Sequence, residues 1–223
     1  MPAPVLIFSH GFGVQKDDRG LFPDIAAAFA QYQPIMFDYN SVDPDISGNL
    51  TARPFSHQVR LLQAHVATVR TQAPAAPITL VCHSQGCVTA AVAELAGVER
   101  VVCLTPPDRI DVDRSVERWS QRPGSSIDLT GVSHLARADG SVTRVPADVW
   151  QEMRVLAPQL PELFMRLAER TALHILTAQS DEVLGPTDFS FLGQRARVHA
   201  LPGDHNFSGP YRPGLLQALA LVL

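Results

Sequence analysis

Two kinds of hydrophobic pattern alternate along this chain. Short continuous apolar runs, of the kind expected for parallel strands covered on both faces, are separated by stretches whose apolar residues fall three or four apart, as on one face of a helix. Pro4-Val5-Leu6-Ile7-Phe8-Ser9 predicts a first strand, and Leu21 to Gln31, apolar at 21, 22, 25, 26 and 29, a first helix. Pro34-Ile35-Met36-Phe37-Asp38-Tyr39 predicts a second buried strand. Residues 40–54, rich in Asp, Pro, Ser, Gly and Asn, read as loop. Ser56 is placed to cap a helix from about 57 to 71, with 59, 62, 66 and 69 on its apolar side and Pro74 and Pro77 beyond its end. Ile78 to Cys82 predicts a third strand, Gly86 to Ala96 a helix of small residues, and Val98 to Leu104 contains a fourth strand. This alternation argues for a parallel sheet with helices on both faces and right-handed crossovers.

The rhythm breaks at Thr105-Pro106-Pro107. From there to about Pro161 the chain is richer in charge and has no long apolar run. Within it, Asp139-Gly140 between Leu135 and Val142-Thr143-Arg144-Val145 signals a hairpin, and Ala147 to Leu156 a helix carrying Trp150 and Met153. Residues 106–160 read as a cap or lid inserted after a sheet strand, against the plainer reading of a solvated excursion. Trp119 and Trp150 either line a pocket or form the insertion's own core. Pro161 opens a further helix to Arg170, Thr171 to Ala178 and Ala196 to Leu201 return to the sheet, and Gly214 to Leu223 closes as an apolar helix. The expectation is a single α/β domain over 1–223: a mostly parallel central sheet of about six strands flanked by helices, with a small cap insertion.

Composition narrows the partners. The chain has 223 residues, a net charge of −4 and 46% hydrophobic residues. Lys16 is its one lysine and the arginines are scattered, so no nucleic-acid surface is expected. No apolar run reaches the roughly 18 residues of a membrane span, and Met1-Pro2-Ala3-Pro4 lacks the basic start of a secretory leader. Cys82, Cys87 and Cys103, an odd number in apolar surroundings, read as reduced thiols of a cytoplasmic protein.

The candidate chemistry centres on Cys82-His83-Ser84-Gln85-Gly86, a serine between a strand and a helix with a small residue two positions to either side. This is the layout of a nucleophile elbow, in which a bulky neighbour would collide with the adjacent strand or helix. Two more loops follow predicted strands, Gln179-Ser180-Asp181-Glu182 and Gly203-Asp204-His205-Asn206. In a parallel sheet all three loops open at the same carboxyl edge. Ser84, Asp181 and His205 then stand in the order nucleophile, acid, base. A serine hydroxyl needs such a base, and the base a partner to fix its tautomer. Asp108 and Glu182 are alternative acids. Cys82 and Cys87 beside His83 read as small packing residues rather than metal ligands.

With His10-Gly11-Phe12-Gly13 after the first strand, these motifs together resemble the α/β-hydrolase-fold serine hydrolases, esterase- and lipase-like, in a compact form lacking two amino-terminal strands of larger members. The likeness covers nearly all of the chain outside 106–160. It departs at Cys82 and Cys87, where glycine is common. The resemblance implies an oxyanion hole from the backbone N–H groups of Phe12 and Gln85. It implies hydrolysis of a small-molecule acyl substrate, a carboxylic ester first, through an acyl-enzyme intermediate with no cofactor or metal. Thioesters, amides, peptides or acyl transfer could use the same parts, and a non-catalytic binding scaffold is the reading from a different class.

Overall fold

The computed structural model describes residues 2–223. In chain order the elements are β1 (Val5–Ser9), α1 (Leu21–Ala28), β2 (Gln33–Ile35), β3 (Ser41–Val42), β4 (Leu50–Thr51), α2 (Phe55–Gln72), β5 (Ile78–His83), α3 (Gln85–Val92), β6 (Arg100–Leu104), α4 (Val112–Ser120), β7 (Val132–Ala136), β8 (Val142–Pro146), α5 (Ala147–Leu156), α6 (Leu160–Arg170), β9 (Ala172–Ala178), β10 (Ala196–Leu201) and α7 (Arg212–Leu219). Six strands form one sheet in the order β10-β9-β6-β5-β1-β2, and every neighbouring pair is parallel. This is the expected α/β architecture.

The central strands β1 and β5 are buried along their whole length, which is why their sequences are unbroken apolar runs. One face packs against α2, α3 and α6 through Leu62, Val66, Val88, Leu163, Phe164 and Leu167. The other packs against α1 and α7 through Leu21, Phe22, Ile25, Leu215 and Leu219, with Phe8 and Phe22 in ring contact at 4.8 Å. Burying each such side chain contributes about 1.5–3 kcal/mol.

Two local expectations need correction. The run 34–39 is not a buried strand. β2 covers only 33–35 at the sheet edge and is largely exposed. Phe37 and Tyr39 are buried from irregular backbone beyond it. The helix expected from about 57 begins at Phe55, and Pro54 rather than Ser56 precedes it. Proline's fixed φ suits that entry, and the Ser56 N–H is instead satisfied by Glu152 Oε2 at 2.8 Å.

The region after β6 carries α4, the antiparallel β7–β8 hairpin expected at Asp139-Gly140, and α5. It does not stand alone. Residues 40–54, read as loop, contribute β3 and β4 to a second sheet, ordered β3-β4-β8-β7. Ala52, Leu135, Val145, Val149, Trp119 and Trp150 form a separate small core there. Among the described residues, no helix is long and apolar enough to cross a membrane.

Candidate active site

Ser84 sits between β5 and α3 with φ 51° and ψ −121°. A β-carbon-bearing residue held there costs about 1–3 kcal/mol and persists only where its surroundings enforce it. The enforcement is visible. The Ser84 N–H donates to the Leu104 carbonyl at 2.9 Å. A Cβ at residue 86 would overlap the Ser9 carbonyl, so only glycine lets α3 approach β1. Ser9 Oγ donates to the Gly86 carbonyl at 3.0 Å and accepts from the buried Tyr39 hydroxyl at 2.8 Å.

The loops after β5, β9 and β10 bring three side chains into line. His205 Nδ1 lies 2.8 Å from Asp181 Oδ2, and His205 Nε2 lies 3.0 Å from Ser84 Oγ. The Asp181 carboxylate accepts a hydrogen bond from Nδ1–H, which leaves Nε2 as the unprotonated nitrogen facing Ser84 Oγ. Asp181 is itself held by the N–H groups of Val183 and Leu184, at 2.9 and 2.8 Å on its Oδ1. Burial would raise its pKa, but the hydrogen bond and charge of His205 and these two amides bring it below the ordinary value. Burial lowers the pKa of His205; the Asp181 hydrogen bond opposes this, while a neighbouring histidine, His83, reinforces it. The ring is therefore neutral and basic near pH 7.

The other acids are occupied elsewhere. Glu182 Oε2 accepts the backbone N–H of His205 at 3.0 Å and does not reach the ring. Asp108 accepts from Asp188 N–H at 2.9 Å and pairs with Arg109 at 3.3 Å.

Gln85 is the first residue of α3, so its N–H has no acceptor within the helix. Phe12, on the loop after β1, lines the same cavity as Ser84. His10 orders that loop. Its Nδ1 donates to the Gly11 carbonyl at 2.9 Å and its Nε2 accepts the Tyr39 N–H at 2.9 Å. The cavity, about 810 Å³, is lined by Trp119 but not by Trp150. Trp150 is 2% exposed in the small core and donates to Ser133 Oγ at 3.1 Å.

A second histidine–aspartate pair underlies the first, and sequence reasoning did not find it. His83 Nδ1 lies 2.7 Å from Asp18 Oδ2, and His83 Nε2 lies 3.0 Å from the His205 carbonyl. Both ring nitrogens face acceptors when Asp18 is ionised, an arrangement that suits a doubly protonated, charged His83. Burial opposes this charge, but the charge and hydrogen bond of Asp18 and the His205 carbonyl raise the pKa of His83 above the ordinary value. The same Asp18 oxygen accepts the Gly11 N–H at 3.1 Å. One buried carboxylate thus ties the β1 loop, the elbow and the His205 loop together. Asp18 lies 65 residues from His83 in sequence, in a turn with no periodic signal.

Cys82, Cys87 and Cys103 are buried and free. Burial pushes the thiols of Cys82 and Cys87 up. Among the described residues, no group of three or more His, Cys, Asp or Glu side chains is placed to hold a metal ion.

A six-stranded parallel sheet with its serine turn after the central β5, and acid and histidine after the last two strands, meets solved structures over its whole length. The esterase domain of a Rhodothermus marinus protein superposes with a TM-score of 0.67 at 20% identity, covering 100% of this chain and 87% of that one. The chain has the α/β-hydrolase fold. Est1E from Butyrivibrio proteoclasticus, in a structure with ferulic acid bound, aligns at TM-score 0.70 and 14% identity over 98% of this α/β-hydrolase-fold chain and 87% of its own. A serine hydrolase homologue from Coxiella burnetii aligns at 0.59 and 16% over 100% and 86%. No protein-family model matches the sequence, and no curated protein matches it.

Proposed function

We propose that this protein is a serine hydrolase of carboxylic esters that works through an acyl-enzyme. The observation carrying the reading is the unbroken chain from Asp181 Oδ2 through His205 to Ser84 Oγ, with contacts of 2.8 and 3.0 Å. Ser84 Oγ bonds to the acyl carbon as its proton passes to His205 Nε2. The carbonyl oxygen becomes negative and is met by the N–H groups of Phe12 and Gln85, each worth on the order of 3 kcal/mol. Collapse of this intermediate breaks the bond to the leaving alcohol, which takes the proton from His205. Water then gives a proton to the same nitrogen and its oxygen attacks the acyl carbon; Ser84 leaves with its proton and the acid is released. Asp181 keeps the imidazole in the required tautomer and stabilises it while charged. Every proton is carried by His205, so no metal or organic cofactor enters the scheme. The substrate class is a small acyl compound, for which the cavity beside Ser84 has room, and residues 106–160 act as a cap that selects it.

A fluorophosphonate probe, which traps an activated serine, tests the proposal. The expected result is labelling that disappears in Ser84→Ala, together with loss of ester turnover by about 10⁴-fold or more. Well-folded protein that neither takes the label nor turns over any ester would make the chain a binding scaffold instead.

A further inference from the structure

We propose that the cavity over Ser84 takes a substrate bearing an anionic oxygen group, a carboxylate or a phosphate, which Arg137 holds together with Arg19, Arg118 and Arg122. This rests on the ester-hydrolase reading for its chemistry but not for its binding. Four guanidiniums from three separate segments line one cavity with Ser84. Arg19 comes from the turn before α1, Arg118 and Arg122 from α4 and the turn beyond it, and Arg137 from the residue just after β7.

None of the four has a carboxylate within 4.0 Å among the described residues, whereas six arginines elsewhere do. The carboxylates that line the cavity are engaged inside the protein. Asp18 holds His83 and Gly11, Glu182 holds the His205 N–H, and Asp139 accepts the Ser141 N–H and hydroxyl at 3.0 and 2.6 Å. In a chain of net charge −4, this concentration of unpaired cations is local to the reacting serine.

Arg137 is the fixed member. Its Nε donates to Thr143 Oγ1 at 2.9 Å and one terminal nitrogen to the Phe12 carbonyl at 3.3 Å. Its guanidinium carbon lies 5.5 Å from the Phe12 ring and 5.2 Å from the Trp119 ring. Arg118 and Arg122 stand over the same tryptophan at 5.6 and 5.2 Å. The Arg137 guanidinium packs directly against the β1 loop at Gly13, where a Cβ would overlap it. Burial, then the charges of Arg19 and Arg122, push the pKa of Arg137 down to about 10. The charge of Asp139 opposes this at Arg137 and that of Asp181 at Arg118, but neither carboxylate pairs with a guanidinium, so the like charges still repel one another and an oxyanion relieves that repulsion. Guanidinium forks match both carboxylate and phosphate geometry.

Ser84→Ala protein, which binds ester without turnover, gives the test. Calorimetry compares p-nitrophenyl hexanoate with mono-p-nitrophenyl adipate, in which a carboxylate replaces the terminal methyl. It also compares S-hexanoyl pantetheine with its phosphorylated form. The first pair reports an anion on the acyl side and the second an anion on the leaving group. The charged member of at least one pair is expected to bind about tenfold tighter or more. That advantage should shrink as salt rises from about 0.05 M to about 0.5 M. Arg137→Gln should abolish it. Arg118 and Arg122 are exposed, so Arg118→Gln/Arg122→Gln serves as a variant that folds if Arg137→Gln does not, and it should reduce the advantage several-fold.

Equal affinity within both pairs, or a preference untouched by these substitutions, overturns the proposal. The two readings fail separately. An anion preference in a protein whose wild type cleaves no ester removes the hydrolase reading and leaves the anion site. Ester turnover with no preference does the reverse.

Discussion

Asp18→Asn is the most informative single change, because asparagine keeps the shape and its tolerance of the left-handed backbone that Asp18 adopts at φ 45°. The charge is removed and one acceptor oxygen becomes an NH2 donor. Asp18 is 1% exposed and His83 2% exposed, so neither can turn to water. Without the carboxylate, His83 either stays charged and unpaired, at about 3–5 kcal/mol, or loses a proton. A neutral ring has one donor to share between the introduced amide and the His205 carbonyl, and the hydrogen bond that is lost costs about 1–3 kcal/mol. The second route is cheaper, so a loss of about 1–3 kcal/mol is expected. In a chain of this size that lowers Tm by about 2–12 °C.

The pH dependence gives the mechanism away. His83 has a raised pKa, so its contribution is complete below its unfolded value of 6.5 and fades as pH climbs through the folded value. Burial would raise the pKa of Asp18, but the charge and hydrogen bond of His83 and the Gly11 N–H bring it down. Its contribution is therefore present above its unfolded value of 3.8 and lost as pH falls through the folded value. Urea unfolding of wild type and Asp18→Asn should differ most between about pH 4 and about pH 6.5, and less on either side. A loss under about 1 kcal/mol, or a difference that does not change with pH, would refute the buried imidazolium.

Three other outcomes follow from the same geometry. Ester kcat/KM should rise with pH along one ionisation below 6.5, since burial and the His83 charge lower the pKa of His205; in Asp18→Asn, where His83 can lose its proton, a stopped-flow pH profile should place that ionisation higher. Asp181→Asn should cut kcat by about 10⁴ by stabilising the wrong tautomer, and near-normal turnover would shift the acid role to Glu182 or Asp108. Gly86→Ala should cost about 3 kcal/mol or more and abolish labelling of Ser84, because its Cβ meets backbone rather than a movable side chain; urea melts and the fluorophosphonate probe read both effects.

What was legible in the sequence was whatever depends on local pattern and on chain order. Unbroken apolar runs announced β1 and β5, and Asp139-Gly140 announced the hairpin, because burial on two faces and left-handed turn geometry leave marks within a few residues. The Ser84, Asp181, His205 alignment was readable because parallel strands send their following loops to one edge. β3 and β4 were not readable. Two residues cannot display a period, and β4 finds its partner β8 about 90 residues later. β2 misled because Met36-Phe37-Asp38-Tyr39 is apolar for the sake of a core contact, not a ladder. The arginine group was hidden for a similar reason: its members are scattered in sequence and meet only where α4, β7 and the β1 loop converge.

The pairing of β4 with β8 bears on how the roof of the cavity can move. The 106–160 segment is tied to residues 40–54 by the parallel β4–β8 ladder, by the Val142 N–H on Asn49 Oδ1 at 2.7 Å and by Arg144 on Asp43 at 2.8 Å. Moving residues 106–160 as one piece would break these contacts together, so the two segments move as a unit or not at all. An engineer who wished to transplant the roof would have to carry both threads of the seam, residues 40–54 along with 106–160.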